Sequence, residues 1–310
     1  MSKILVTGGA GYIGSMLVDR LLRDGHHVTV LDNLSYEVNS LTHLCHYSTF
    51  EFIKGDVRDE RLIESIIKKF EYIFPLACLV GAPLCDLKPK EATEVNLDAI
   101  RILIKHINEE QKIVYPTTNS GYGTKSKEVE CDENTKLEPI SHYGRTKVDA
   151  ENLLLHSGQA VTLRLATVYG SSFRTRYDLL LNDFVRKSVI KGEIDLYESH
   201  FTRNFIHILD VIDGMIFSME NFSQMKGEAF NLGLDSANIS KLELVQKIKK
   251  YIPSLKITEK SKMKDPDQRN YIVSNRKILL KGFKAHRSIE SGIIEMIKAV
   301  RMESSFNENI

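Results

Sequence analysis

Neither sign of charge prevails in this 310-residue chain: Lys and Arg total 42, Asp and Glu 41, and the formal net charge is +1. No global field draws the protein to nucleic acid or to a membrane surface, so any bound anion must be met by local arginines. Cysteine is scarce. Cys45, Cys78, Cys85 and Cys131 form no C-x-x-C pair and read as reduced thiols, which argues against a structural metal knuckle. The ten histidines show no H-x-x-x-H and no partnering carboxylate at ligand spacing, so no metal is expected. No apolar run reaches the length of a membrane span. The first strand-like run begins by residue 3, which leaves no room for a leader peptide, and a cytoplasmic protein is expected. Internal repeats and low-complexity linkers are absent as well.

What is present is alternation. Strand patterns at 3–7, 27–31, 50–54, 71–76, 112–117 and 160–165 are interleaved with helix patterns at 12–24, 59–69, 90–109 and 142–156. That order implies an α/β protein built on a doubly wound parallel sheet. Beyond about residue 170 the alternation loosens into loops, short strands and helices near 177–191, 210–220, 240–251 and 288–301. We therefore expect a dinucleotide-binding domain over 1–170. A smaller C-terminal α/β substrate lobe follows over 171–310, with some of its segments returning to the large sheet. Ser304 to Ile310 reads as a frayed tail.

The first strand runs into Gly8-Gly9-Ala10-Gly11-Tyr12-Ile13-Gly14, which satisfies G-x-G-x-x-G between a strand and an amphipathic helix. The second strand ends at Asp32, 18 residues past Gly14, close to the ~20 expected of an acid that holds an adenosine ribose. Three glycines in a turn mean little alone. Set in strand, turn, helix, strand and acid, they indicate a dinucleotide whose pyrophosphate sits on the helix amides. Asp32, with no arginine at 33 or 34, selects NAD over NADP, because a 2′-phosphate would meet a carboxylate.

Tyr143 and Lys147 form a Y-x-x-x-K at the start of a helix, and the i, i+4 spacing places phenol and ammonium on one face. A neighbouring cation stabilises phenolate, which moves a tyrosine of reference pKa ~10 toward general-base work. The strand before it ends in Tyr115-Pro116-Thr117-Thr118-Asn119-Ser120-Gly121-Tyr122-Gly123, so hydroxyls stand where doubly wound folds build their sites.

Taken as an ordered set, Thr7–Gly14, Asp32-Asn33, Gly55-Asp56-Val57, Tyr143–Lys147 and Arg203-Asn204-Phe205-Ile206-His207 resemble the extended short-chain dehydrogenase/reductase family. More narrowly, they resemble its nucleotide-sugar epimerase and dehydratase branch, over about residues 3–280. The resemblance implies a Rossmann sheet and a tightly bound NAD held by Gly8, Gly11, Tyr12, Ile13, Gly14, Asp32 and Asn33. Asp56 and Val57 would border the adenine, and Leu76 and Ala77 would line the cofactor cleft. Tyr143 would be the catalytic acid/base, Lys147 would bind the nicotinamide ribose and tune Tyr143, and Thr118 would hold the reacting sugar oxygen. Arg203 matches the arginine that reaches a substrate diphosphate. Asn119, Thr167, Arg174, Asn182 and Arg269 are further candidates for substrate contact, with Thr167 standing where relatives commonly carry asparagine. A homodimer or dimer of dimers through helices 90–109 and 142–156 is also implied.

Dehydratases of this branch place Asp-Glu after the hydroxyl residue, whereas this chain has Asn119-Ser120, neither of which titrates usefully. Oxidation of a sugar hydroxyl at C4 remains. The run Phe74-Pro75-Leu76-Ala77-Cys78-Leu79-Val80-Gly81-Ala82-Pro83-Leu84-Cys85 is similar to GDP-D-glycero-D-manno-heptose 4-dehydrogenases of bacterial capsular polysaccharide pathways. The expected activity is therefore a 4-dehydrogenase acting on a GDP-sugar. The alternatives are a nucleotide-sugar 4-epimerase, a 4-ketoreductase, or a non-catalytic NAD sensor.

Overall fold

Seven short apolar runs pair into one sheet whose strands are all parallel. In the computed structural model, which describes residues 1–36, 38–125, 129–260 and 270–306, strand Lys3–Thr7 lies near the centre. On one side follow His27–Asp32 and then Phe50–Lys54; on the other follow Tyr72–Pro75, Lys112–Thr118, Ala160–Leu165 and Ala229–Leu232. Side chains of a strand alternate between faces, and both faces here are covered. Ile4 and Val6 enter one apolar layer with Leu17, Leu21 and Met215, and Leu5 enters the opposite layer with Ile63, Leu103 and Leu154. A strand buried on both sides has to be apolar throughout, which is why Ile4 to Val6 reads as an unbroken run. The edge strand Phe50–Lys54 is half-exposed and carries Glu51 and Lys54, charges that discourage pairing with another chain.

Helix Tyr12–Arg23 buries Leu17, Val18, Leu21 and Leu22. It stops at Gly25, whose φ of +82° allows the Gly25 amide to reach the Leu22 carbonyl and the His26 amide to reach that of Leu21, both at 3.0 Å. The region expected as one helix over 90–109 is instead Pro89–Thr93, a wide π-type turn at Glu94–Asp98, and Ala99–His106. The turn brings the Asn96 side chain onto the Leu79 loop, as described below. The terminal helix, Ile289–Phe306, runs on through part of the expected frayed tail; 307–310 lie outside the described residues.

A second layer of structure is built around Thr167–Tyr169, Thr202–His207 and Asn238–Ser240, which form a three-stranded sheet. Helices Leu180–Ile190, Lys241–Tyr251 and Ile289–Phe306 close over it around Phe184, Phe205, Val245, Ile293 and Met296. Between these segments the chain goes back to the large sheet: helix Ile208–Glu220 covers it and strand Ala229–Leu232 forms its edge. The lobes are joined by Arg287, which pairs with Asp210 at 2.6 Å and Asp213 at 2.8 Å; within the large lobe Arg20 pairs with Asp213 at 2.8 Å. On the helices expected to dimerise, Ile100, Leu103, Ala150 and Leu154 face the sheet core. The exposed positions include Lys90, Arg101, Lys105, Arg145, Asp149, Asn152 and His156. Val95, Ile102, Val148 and Leu153 are half-buried.

Candidate active site

The strand order reverses between Lys3–Thr7 and Tyr72–Pro75, and an open parallel sheet takes its ligand in the crevice beyond the C-terminal ends at that point. Gly8 leaves the first strand with φ +69°, and a Cβ there would stand 2.5 Å from the Ala77 amide nitrogen and 2.7 Å from the Leu76 carbonyl carbon. Only glycine fits. A Cβ at Gly14 would stand 2.4 Å from the Gly8 carbonyl oxygen, so turn and helix are pressed together. Helix Tyr12–Arg23 starts at Gly11 with no side-chain cap and no acid in its first turn. Its open amides and the positive end of its dipole form the environment a pyrophosphate requires.

Asp32 accepts the Ala10 amide at 2.9 Å and the Leu34 amide at 2.8 Å, which fixes its carboxylate beside the turn. Farther out, Asn33 donates to Asp56 at 3.4 Å, and Arg58 grips Asp56 at 2.7 Å. The Arg58 guanidinium holds the Asp56 carboxyl well below its usual range, at about 2. Val57, Thr7, Ala77, Val95 and Ala99 wall a narrow apolar cleft next to it. The glycine turn and its open amides fit a diphosphate, with the Asp32 carboxylate fixed beside them. The Tyr12 side chain points away from the turn. Its ring is buried and its hydroxyl donates to the Gly170 carbonyl at 2.8 Å, so it ties the lobes together and offers a cofactor only its amide.

Strand Lys112–Thr118 ends at Thr118, whose hydroxyl accepts the Ser120 amide at 3.1 Å and shares a hydrogen bond with the Ser120 hydroxyl at 2.8 Å. Helix His142–His156 begins after Ser141, which caps it by accepting the Gly144 amide at 3.0 Å. Half-buried Tyr143 opens this helix, and Lys147, one turn on, is 4% exposed. The Lys147 ammonium donates to the Tyr115 hydroxyl at 2.5 Å and lies 3.8 Å above the Tyr115 ring. Tyr115 precedes Thr118 by three residues on the same strand, so this contact locks the helix of Tyr143 to the strand of Thr118. Burial lowers the proton affinity of Lys147 and raises the Tyr115 phenol far above its ordinary value. The Tyr115 phenol is therefore neutral.

Three further residues shape the site. Asn96 receives the Leu79 amide at 2.8 Å and donates to the Leu79 carbonyl at 3.0 Å, holding the loop after Ala77 in place. Arg176, bound to Asp178 at 2.5 Å, interacts electrostatically with Tyr143. Tyr115 itself is the third. A polar residue in mid-helix, a loop arginine and an inward strand tyrosine have no sequence signature of their own.

The expected substrate contacts divide. Arg203 is 2% exposed on strand Thr202–His207 and donates to the Thr202 carbonyl at 3.1 Å; half-buried Thr167 lies on the neighbouring strand, opposite Phe205. Asn119 is 1% exposed, and among the described residues both polar atoms of its carboxamide lack a hydrogen-bond partner. Asn182 is a correction. It is fully buried, with its amide bound to the Gly170 amide at 3.1 Å, the Gly170 carbonyl at 3.2 Å and the Arg176 carbonyl at 2.9 Å, and no group is left for a ligand. Arg174 stacks its guanidinium 3.6 Å over the Tyr36 ring, with the Asp178 and, more weakly, the Asp32 carboxylates acting on it. Arg269 lies outside the described residues. Among the described residues no group of three His, Cys, Asp or Glu could hold a metal, and no helix is long and apolar enough to cross a membrane.

Residues 4–233 match the model of the NAD dependent epimerase/dehydratase family. The chain belongs to that family. CDP-paratose 2-epimerase of Salmonella typhi is 29% identical, with 89% of this chain and 92% of that protein covered. The uncharacterized UDP-glucose epimerase YtcB of Bacillus subtilis is 32% identical, covering 74% of this chain and 76% of its own length. Among solved structures, UDP-glucose 4-epimerase of Thermotoga maritima with UDP-glucose superposes with a TM-score of 0.84 at 25% identity, covering 97% of this chain and 99% of that one. UDP-glucuronic acid 4-epimerase of Bacillus cereus, in complex with UDP-glucuronic acid and NAD, gives 0.83 at 25% identity with the same coverage. As a family member the enzyme uses NAD, and the glycine turn and Asp32 are the features that fit it.

Proposed function

We propose that this enzyme oxidises the C4 hydroxyl of a nucleotide-activated sugar and then reduces the ketone from either face, as a nucleotide-sugar 4-epimerase. The observation that carries the reading is the grouping of Tyr143, Lys147 and Thr118 at the crevice, followed by Asn119-Ser120 in place of carboxylates. Bound NAD supplies the two-electron chemistry. The Tyr143 phenolate removes the proton of the C4 hydroxyl, while the Thr118 hydroxyl holds that oxygen. C4 gives up its hydrogen with the bonding electrons and becomes a carbonyl. The Lys147 ammonium, held by Tyr115, stabilises the phenolate form of Tyr143 before the transfer, and Arg176 adds a second positive charge near the same phenol. In the return step Tyr143 gives its proton back to the carbonyl oxygen. With no carboxyl at 119 or 120, elimination of water from the neighbouring carbons lacks its acid and base.

We assign the diphosphate to Arg203, whose forked guanidinium suits it. The relatives named as acting on UDP- and CDP-sugars support a pyrimidine nucleotide, and the resemblance of Phe74–Cys85 supports a GDP-sugar. The same resemblance supports a second completion, in which the ketose leaves and the enzyme is a GDP-heptose 4-dehydrogenase. Replacing Tyr143 with Phe tests the shared first half. Turnover should fall to background while the nucleotide released on denaturation shows NAD at wild-type occupancy. Undiminished turnover would overturn the assignment.

A further inference from the structure

The segment Gly170–Arg176 leaves the small lobe and crosses the loop that follows strand His27–Asp32. Four contacts hold it there. The Tyr12 hydroxyl donates to the Gly170 carbonyl, Phe173 stacks on His43 with ring centroids 3.9 Å apart, Arg174 stacks on Tyr36, and Asn182 pins Gly170 from behind. The loop beneath is tied to the glycine turn, because the Ser40 hydroxyl donates to the Ala10 carbonyl at 2.8 Å. The strap thus rests on the part of the molecule that meets the adenosine and its phosphate.

Arg174 differs from the other arginines near the cleft. Arg176 is held by Asp178, Arg58 by Asp56 and Glu94, and Arg203 by the Thr202 carbonyl. The Arg174 guanidinium is half-buried, its face is occupied by Tyr36, and it has no hydrogen-bond acceptor among the described residues. Burial lowers its proton affinity, since nothing anionic is bonded to it to repay the lost water. Two fixed carboxylates act on it: Asp178, which is already bound to Arg176, and more weakly Asp32, whose two oxygens already accept the Ala10 and Leu34 amides. A guanidinium stacked flat on an aromatic ring keeps its in-plane donors free, which is the presentation a phosphate oxygen uses.

We propose that Arg174 binds the phosphate on the adenosine side of NAD, so that the small lobe supplies part of the cofactor site. NAD then leaves only when the Gly170–Arg176 strap lifts from Tyr36 and His43. This goes beyond the C4 assignment and does not depend on which sugar is used. Its consequence for the reaction is retention: a cofactor strapped at its adenosine end stays through both hydride steps.

The test is binding rather than turnover. The chain contains no tryptophan, so NADH emission can be followed without energy transfer from indole. Titrations with NADH, ADP-ribose and adenosine separate the phosphate from the base. Arg174→Ala should weaken NADH and ADP-ribose about 10- to 100-fold, the size of a lost charge-assisted bond. Adenosine affinity should stay unchanged, and the salt dependence of NADH binding should flatten. Arg174→Lys should recover part of the loss, and Tyr36→Ala should raise the NADH dissociation rate. Unchanged NADH and ADP-ribose affinities in a folded Arg174→Ala would overturn the proposal. Weakened UDP or GDP binding in that variant, with NADH unaffected, would do the same by returning the arginine to the substrate.

Discussion

Replacing Tyr115 with Phe removes one oxygen and leaves the ring, and so isolates what that oxygen does for Lys147. The ammonium is 4% exposed and donates to this hydroxyl at 2.5 Å. Glu151, one helical turn farther, cannot take over, because Arg164 binds it at 2.7 Å and 3.0 Å. Loss of a hydrogen bond to a charged group costs about 1.5–3 kcal/mol. The Phe ring keeps the cation–π contact, so that contribution stays in place. At about 1.4 kcal/mol per pKa unit, Lys147, already lowered by burial, should lose its proton about one to two units earlier. The charge that supports the Tyr143 phenolate then disappears on the alkaline side. The basic limb of the kcat/KM profile should move toward neutral pH by about that amount, with turnover near pH 6 little changed. A basic limb at the wild-type position, or a loss of equal size at every pH, would refute the role given to Tyr115.

Two other perturbations probe the lobes and the sugar site. Glu295 accepts the Ser171 amide and hydroxyl at 2.7 Å and His207 at 2.8 Å; burial works against its charge, but these bonds hold its carboxyl at about 2. A carboxyl depressed in the folded state stabilises it above the unfolded pKa, and that stability is lost as the pH falls from about 5 toward 2. With its partial exposure discounted, the contribution is roughly 2 kcal/mol, and urea midpoints of Glu295→Gln should show a correspondingly flatter acid slope. Asn119→Ala should leave the urea midpoint of the ligand-free enzyme unchanged or higher, since it removes a buried amide without partners. Its KM for the nucleotide sugar should rise about tenfold; a lowered midpoint with an unchanged KM would make Asn119 structural.

The features legible in the sequence were those with local spacing. G-x-G-x-x-G marks a turn because Gly8 and Gly14 must each meet backbone where a Cβ would overlap. Tyr143 and Lys147 share a helix face by periodicity alone, and six of the seven large-sheet strands announce themselves as apolar runs. The seventh, Ala229–Leu232, is a four-residue edge reached after a long excursion through the small lobe. What stayed hidden depends on contacts between distant segments. Asn96 looks like an ordinary polar helix residue until the π-type turn carries it to Leu79. Arg174 and Arg176 are two residues apart, yet one stacks on Tyr36 and the other acts on Tyr143, a division set by how the loop crosses the lobe junction. Asn182 has the composition of a ligand contact, but Gly170 and Arg176 occupy its amide.

The most direct measurement is to supply UDP-, CDP- and GDP-sugars deuterated at C4 and to follow product mass, C4 configuration and the position of the label. A product of unchanged mass, inverted at C4 and still carrying deuterium there, is expected for oxidation and return on a retained cofactor. A ketose lighter than the substrate by its C4 deuterium and one hydrogen, with deuterium in the released reduced cofactor, would keep the C4 chemistry and make the enzyme a 4-dehydrogenase. A product lighter by one water would contradict the absence of an eliminating acid and base at 119 and 120, and a product altered elsewhere with no isotope effect from the C4 deuterium would contradict C4 oxidation by Tyr143.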